Sequence, residues 1–134
     1  MIERRLLQLC VVIGSFSPLV FGSMGIVHGP HAFGRPSDVP IDLDSHFHYL
    51  TGIFFATGIG FLTCVRDIER KTARFQLLGG LIVVGGLSRW VSFLTVGTPS
   101  IGHQVALAME TGVMPLLMLW QWRVARASVH PVTA

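Results

Sequence analysis

Four runs of mainly apolar residues, at about 6–27, 45–65, 75–96 and 102–122, constrain the fold of this chain more than any other feature. Each is close to the ~20 residues that an α-helix needs to cross a bilayer at 1.5 Å per residue. In hydrocarbon no water serves backbone amides, so such runs are expected to be helical throughout. The expected fold is therefore all-α, a four-helix transmembrane bundle forming a single integral membrane domain over residues 1–134. Composition agrees: 51% of residues are apolar and only 13% charged. Nine of the ten Lys and Arg residues sit outside the apolar runs, without the clustering or aromatic interleaving of a nucleic-acid surface, and nucleic acid is discounted as a partner.

The links are short and distinct in character. HGPHAFGRPSDVPIDLD, rich in Gly, Pro and Asp, reads as a loop; RDIERKTAR is charged, and GTPS is a tight turn. If the spans alternate, Arg4, Arg5, Arg66, Arg70, Lys71, Arg74, Arg123 and Arg126 share one side. The other side holds Arg35 with Asp38, Asp42 and Asp44. The positive-inside rule then makes both termini cytoplasmic, with Trp120 and Trp122 at the inner interface. MIERR before an apolar run resembles the start of a secretory signal, but the run is as long as a crossing and lacks a clear cleavage site, so it is expected to remain as the first span. Cys10 and Cys64 fall near the reducing side and read as small packing residues.

Gly52, Ala56 and Gly60 recur every four residues, a row of the kind that lets helices approach closely in lipid. The third span carries Gly79-Gly80 and Gly85-Gly86. Pro18 and Pro115 interrupt the first and fourth spans, and Pro115 deprives the Thr111 carbonyl of its usual donor, which should bend that helix.

Within GGLSRWVSF the arginine Arg89 lies inside a span, where a charge costs about 2.5–3.5 kcal/mol on insertion scales unless it is paired or faces a polar interior. The third and fourth spans form an antiparallel hairpin whose turn centres between Pro99 and Ser100. Arg89 and Glu110, the only acid within the spans, are equally far from that centre, at a depth of about 10 Å. They are expected to form a charge-assisted pair. Such a pair either fixes helix register alone or also meets a ligand.

The same outer half collects further polar groups. Asp44 and His48 are four apart on one face of the second span, and Asp44 is expected as its N-cap or first-turn acid. Tyr49 lies beside them, as an interface anchor or an orienting acid. His103 is two turns before Glu110, and Ser88 and Ser92 flank Arg89. Together these sketch a polar pocket open to the outer surface. His28, His31, His46, His48 and His103 could in principle supply imidazoles to a metal, yet His46 and His48 face different ways and no metal-binding spacing supports them, so neither a metal nor a cofactor is expected.

DSHFHYLTG, GGLSRWVSFLTVGTPS and the lone Glu110 followed by Pro115 resemble the pattern of a family of small bacterial four-helix membrane proteins, a domain of unknown function. The resemblance runs from Leu6 to about Arg123. It rests most on Gly85, Gly86, Arg89, Gly97, Pro99 and Glu110. It implies a multi-pass protein of the bacterial inner membrane, gives emphasis to Asp44, His48, Arg89 and Glu110, and implies no established reaction.

Three functions fit these residues. In the leading one the outer pocket binds a small amphipathic molecule, such as a lipid, isoprenoid, quinone or sterol-like compound, through Arg89, Glu110, His48, Tyr49, Asp44, His103 and Ser92. In the second, Glu110 or His48 is a general acid/base, with Arg89 stabilising negative charge and Asp44 and Tyr49 assisting, as in an isomerase or a ring-opening enzyme. In the third the chain is an accessory subunit, its partners being further copies of itself or a larger membrane complex.

Overall fold

The computed structural model describes residues 2–34 and 38–129; Arg35, expected on the outer side, lies outside them. Helix α1 runs Ile2–His28 and ends in a 3₁₀ turn, Gly29–Phe33. Helix α2 spans Ile41–Val65, a short 3₁₀ turn spans Ile68–Arg70, and α3 spans Thr72–Thr95. The last segment is α4, Ile101–Ala108, a π turn over Met109–Val113, and α5, Met114–Val129. These follow one another without a break in helical structure, so the chain is all-α with four helical segments and no strand among the described residues.

The first three segments are long and apolar enough to cross a membrane. The fourth is of similar length but carries Gln104, Glu110 and Gln121 within it. Little of the apolar surface is used inside the molecule: only 11% of the apolar window of α3 is buried. Leu77, Leu81, Val84, Leu87, Val91 and Leu94 are each more than half exposed. An apolar face of that extent suits hydrocarbon and not water. This is a membrane protein.

The described residues form two compact units, 8–66 and 2–7 with 67–129. In the first, α1 and α2 run antiparallel, with the Gln8 amide donating to the Val65 carbonyl at one end (2.7 Å). The buried face of α1 within this unit is Val11, Ser15, Pro18, Gly22 and Gly25, spaced by three and four residues, and Gly29 in the following turn continues it. A Cβ added to Gly22 would stand 2.8 Å from the Phe55 backbone nitrogen, and one on Gly25 would stand 2.3 Å from Thr51 Cγ2. Two members of the row expected to make close contacts on α2 do not make them. Ala56 is exposed and a Cβ on Gly52 would meet nothing within 4 Å; from α2 it is Gly58 that packs closely, against Pro18 and Leu19. Of the cysteines, Cys64 is buried as expected but Cys10 is exposed.

In the second unit α3 packs along α5 through one stripe. Phe75, Gly79 and Gly86 are its buried residues, and Arg89 continues it. A Cβ on Gly79 would come within 2.7 Å of Met118, while Gly80 and Gly85 face open space. At the end nearest the charged link, Leu7, Ile68, Phe75 and Gln121 are fully buried. Gln121 donates to the Ile68 carbonyl and to Thr72 Oγ1, both at 2.9 Å, and accepts from Gln76 Nε2 at 3.2 Å. Gln76 also donates to the Met118 carbonyl (2.9 Å). A buried amide satisfied on both sides in this way ties link, α3 and α5 together. Ion pairs brace the same end: Arg4 with Glu69 (3.0 Å) and Asp67 (3.8 Å), and Arg123 with Glu3. The Arg126 guanidinium lies 3.6 Å over the Trp122 ring.

Candidate functional site

Arg89 and Glu110 meet across the α3 hairpin partner, Nε to Oε2 at 3.0 Å. Two local features make the contact. Gly86, one turn before Arg89, leaves room for Glu110: a Cβ there would stand 2.8 Å from Glu110 Cβ and from Thr111 Cγ2. Pro115 supplies no N–H to the Thr111 carbonyl, and the helix answers with a π turn, in which the Met114 N–H reaches back to the Met109 carbonyl. The expected bend is thus realised as a widened turn, and Glu110 sits on it. Such single π turns recur at functional sites.

The pair is asymmetric. The Glu110 side chain is 13% exposed and that of Arg89 42%. The contact is ionic without hydrogen-bond alignment, so the buried Glu110 Oε2 accepts no aligned hydrogen bond among the described residues. Glu110 thus meets the guanidinium at its Nε edge, and among the described residues the terminal amino groups donate no hydrogen bond.

Arg89 also lines a cleft of about 100 Å³, together with Ser92, Phe93, Pro99, His103 and Leu107. Three residues singled out from the sequence, Arg89, Ser92 and His103, therefore share one recess within this unit. His103 is held by Ser100, Oγ to Nδ1 at 3.0 Å. Ser88 and Thr95, one turn to either side of Ser92, turn their hydroxyls back to the carbonyls of Val84 and Val91. The Ser92 hydroxyl makes no such bond.

Asp44, His48 and Tyr49 belong to the 8–66 unit. Since α2 begins at Ile41, Asp44 is a first-turn acid and not the N-cap, which is Pro40. His48 Nδ1 lies 3.3 Å from Asp44 Oδ2 and 3.0 Å from the Asp44 carbonyl. The end of α1 closes on this pair. Gly29, at φ +58°, is a position where only glycine is unstrained, and a Cβ there would stand 2.7 Å from His48 Cε1 and 3.1 Å from Asp44 Oδ1. Tyr49 is 67% exposed and stands apart from them. A larger open groove of about 430 Å³ runs along the first turns of α2 past Pro40, Asp42, Leu43, His46, Phe47 and Leu50. It is walled almost wholly by apolar atoms and gives a ligand little to orient on. Among the described residues no group of three or more His, Cys, Asp or Glu could hold a metal ion.

The glutamines carry no charge to mark them in the sequence as Arg89 and Glu110 are marked. Gln76 lies 23 residues before Pro99 and Gln121 lies 21 after Ser100, so the spacing that pairs Arg89 with Glu110 brings the two glutamines to similar depth without singling them out.

The family model described as a domain of unknown function, DUF4345, matches residues 6–121. The chain belongs to this family. The match covers both units and takes in Arg89, Ser92, His103 and Glu110 together with Asp44, His48 and Tyr49. No curated protein and no solved structure matches the chain.

Proposed function

We propose that this DUF4345 protein binds the polar end of a small amphipathic molecule, of the lipid, isoprenoid, quinone or sterol-like kind, in the cleft beside Arg89. In this reading the protein lies in a bacterial inner membrane, with both termini cytoplasmic and the cleft in the outer leaflet. The observation that carries it is the gathering of Arg89, Ser92 and His103 with apolar Phe93 and Leu107 in one recess. An intramembrane arginine held by a carboxylate and open on its other side has the form of a recognition group. Its size decides between modes of binding. Sites that enclose a whole small molecule measure roughly 300–1,000 Å³, and about 100 Å³ has room for a head only. The tail would lie along the exposed apolar face of α3.

Native mass spectrometry of protein gently extracted from its own membrane, with lipid analysis of what co-purifies, tests this. A specific small molecule retained by wild type and lost from Ser92→Ala or Arg89→Ala is the expected result. An empty protein carrying other subunits would replace this reading by an accessory role in a complex.

A further inference from the structure

We propose, building on that reading, that the head group recognised in the cleft is anionic, a carboxylate or a phosphate ester. The inference starts from which donors the protein leaves unused. Arg89 spends its Nε on Glu110, and among the described residues its terminal amino groups contact no protein acceptor. They present a planar fork of N–H groups, the geometry that suits two oxygens of one carboxylate or phosphate. Ser92 adds a hydroxyl that, unlike those of Ser88 and Thr95, is not turned back onto the helix. His103 adds a third donor. Ser100 Oγ occupies its Nδ1 at 3.0 Å, which leaves Nε2 for a ligand; in the tautomer in which Ser100 donates, Nε2 carries the ring proton. All three residues line the same cleft, and no acidic side chain lines it with them.

Glu110 explains why the arrangement is an oriented receptor. Its carboxylate is the more buried partner and meets the guanidinium at Nε, so that the fork on the other edge is left for a ligand. The cleft volume, about 100 Å³, suits a compact oxyanion. Ser100 is a positioning residue, acting through His103.

The test uses the full chain in nanodiscs of phosphatidylcholine, titrated with dodecyl phosphate, dodecanoate, uncharged dodecanol and inorganic phosphate, and followed by native mass spectrometry. Each charge-assisted hydrogen bond is worth about a factor of ten in affinity, so both anionic amphiphiles should bind at least about tenfold more tightly than dodecanol. Arg89→Lys, which keeps the charge but loses the fork, should narrow that gap. His103→Ala and Ser92→Ala, which leave the ion pair intact and so are expected to fold, should each narrow it by a smaller factor. Inorganic phosphate that competes with dodecyl phosphate at similar concentration would make the source a free anion; failure to compete would make it a lipid head. Equal binding of dodecanol and the anionic amphiphiles overturns the anionic assignment while leaving an amphiphile site. Binding of no amphiphile and no phosphate overturns that site as well.

Discussion

The two helix pairs solve the same packing problem with different means. In α1 and α2 the backbones are brought together by Gly22 and Gly25, and the closest contacts are to the Phe55 backbone and the Thr51 side chain of the partner. In α3 and α5 glycine again opens the interface, at Gly79 and Gly86, but polar groups then bridge it: Arg89 to Glu110 towards one end and Gln76 to Gln121 towards the other. Buried polar bridges add register more than they add stability. The second pair is therefore the one in which relative position along the helices is specified, as a site built from both partners needs.

If that contrast is right, the largest single loss should come from the polar pair. Gln121→Leu would remove three hydrogen bonds at a fully buried position, those to the Ile68 carbonyl and Thr72 Oγ1 and the one from Gln76, costing about 3 kcal/mol. Equilibrium unfolding in detergent measures it, and a loss below about 1 kcal/mol would mean that the glutamines are incidental to packing. Next comes the glycine pair. Gly22→Ala drives a methyl into the Phe55 backbone, which cannot rotate away, and should cost about 2 kcal/mol. Wild-type unfolding of that variant would show the pair to be looser than described.

Glu110→Gln leaves the arginine without its counter-charge. Because the Arg89 side chain is 42% exposed, the loss should be well below that of a fully buried pair, about 1–2 kcal/mol. A double-mutant cycle with Arg89→Gln measures the coupling, and additivity would remove the pair from the comparison altogether. The smallest effect sharpens the contrast from the other side. Gly52→Ala, which enters open space within a helix, should leave stability unchanged or raise it by up to about 1 kcal/mol. A clear loss in melting temperature would show that the Gly52 face packs against something in the membrane.

The spans were legible because hydropathy over some twenty residues reports directly on solvent. The Arg89–Glu110 contact was legible because one acid and one base stood inside the hairpin, leaving a single way to pair them. Which glycines make contact was not. Gly52, Ala56 and Gly60 have the right spacing, yet so do Gly22, Gly25 and Gly29, and spacing alone does not say which face meets a neighbour. Pro115 announced a disturbance, but a bend and a π turn satisfy the same missing N–H. Which of its two expected roles Asp44 takes was not legible, since it suits a cap and a first-turn position alike.

The hairpin centred on Pro99–Ser100 has a consequence for how such chains can diverge. The ion pair and the glutamine bridge both depend on a fixed count of residues along each arm of one hairpin. A residue inserted between Gln76 and Arg89, or between Glu110 and Gln121, would rotate everything beyond it by about 100° and set one bridge against the other. A residue inserted in the turn, or in the loop between α1 and α2, would disturb neither. Relatives that share this architecture should therefore differ in length at those connections and keep a constant count of residues inside the third and fourth segments, so that gaps in their sequences would trace the turn and spare the ruler on either side of it.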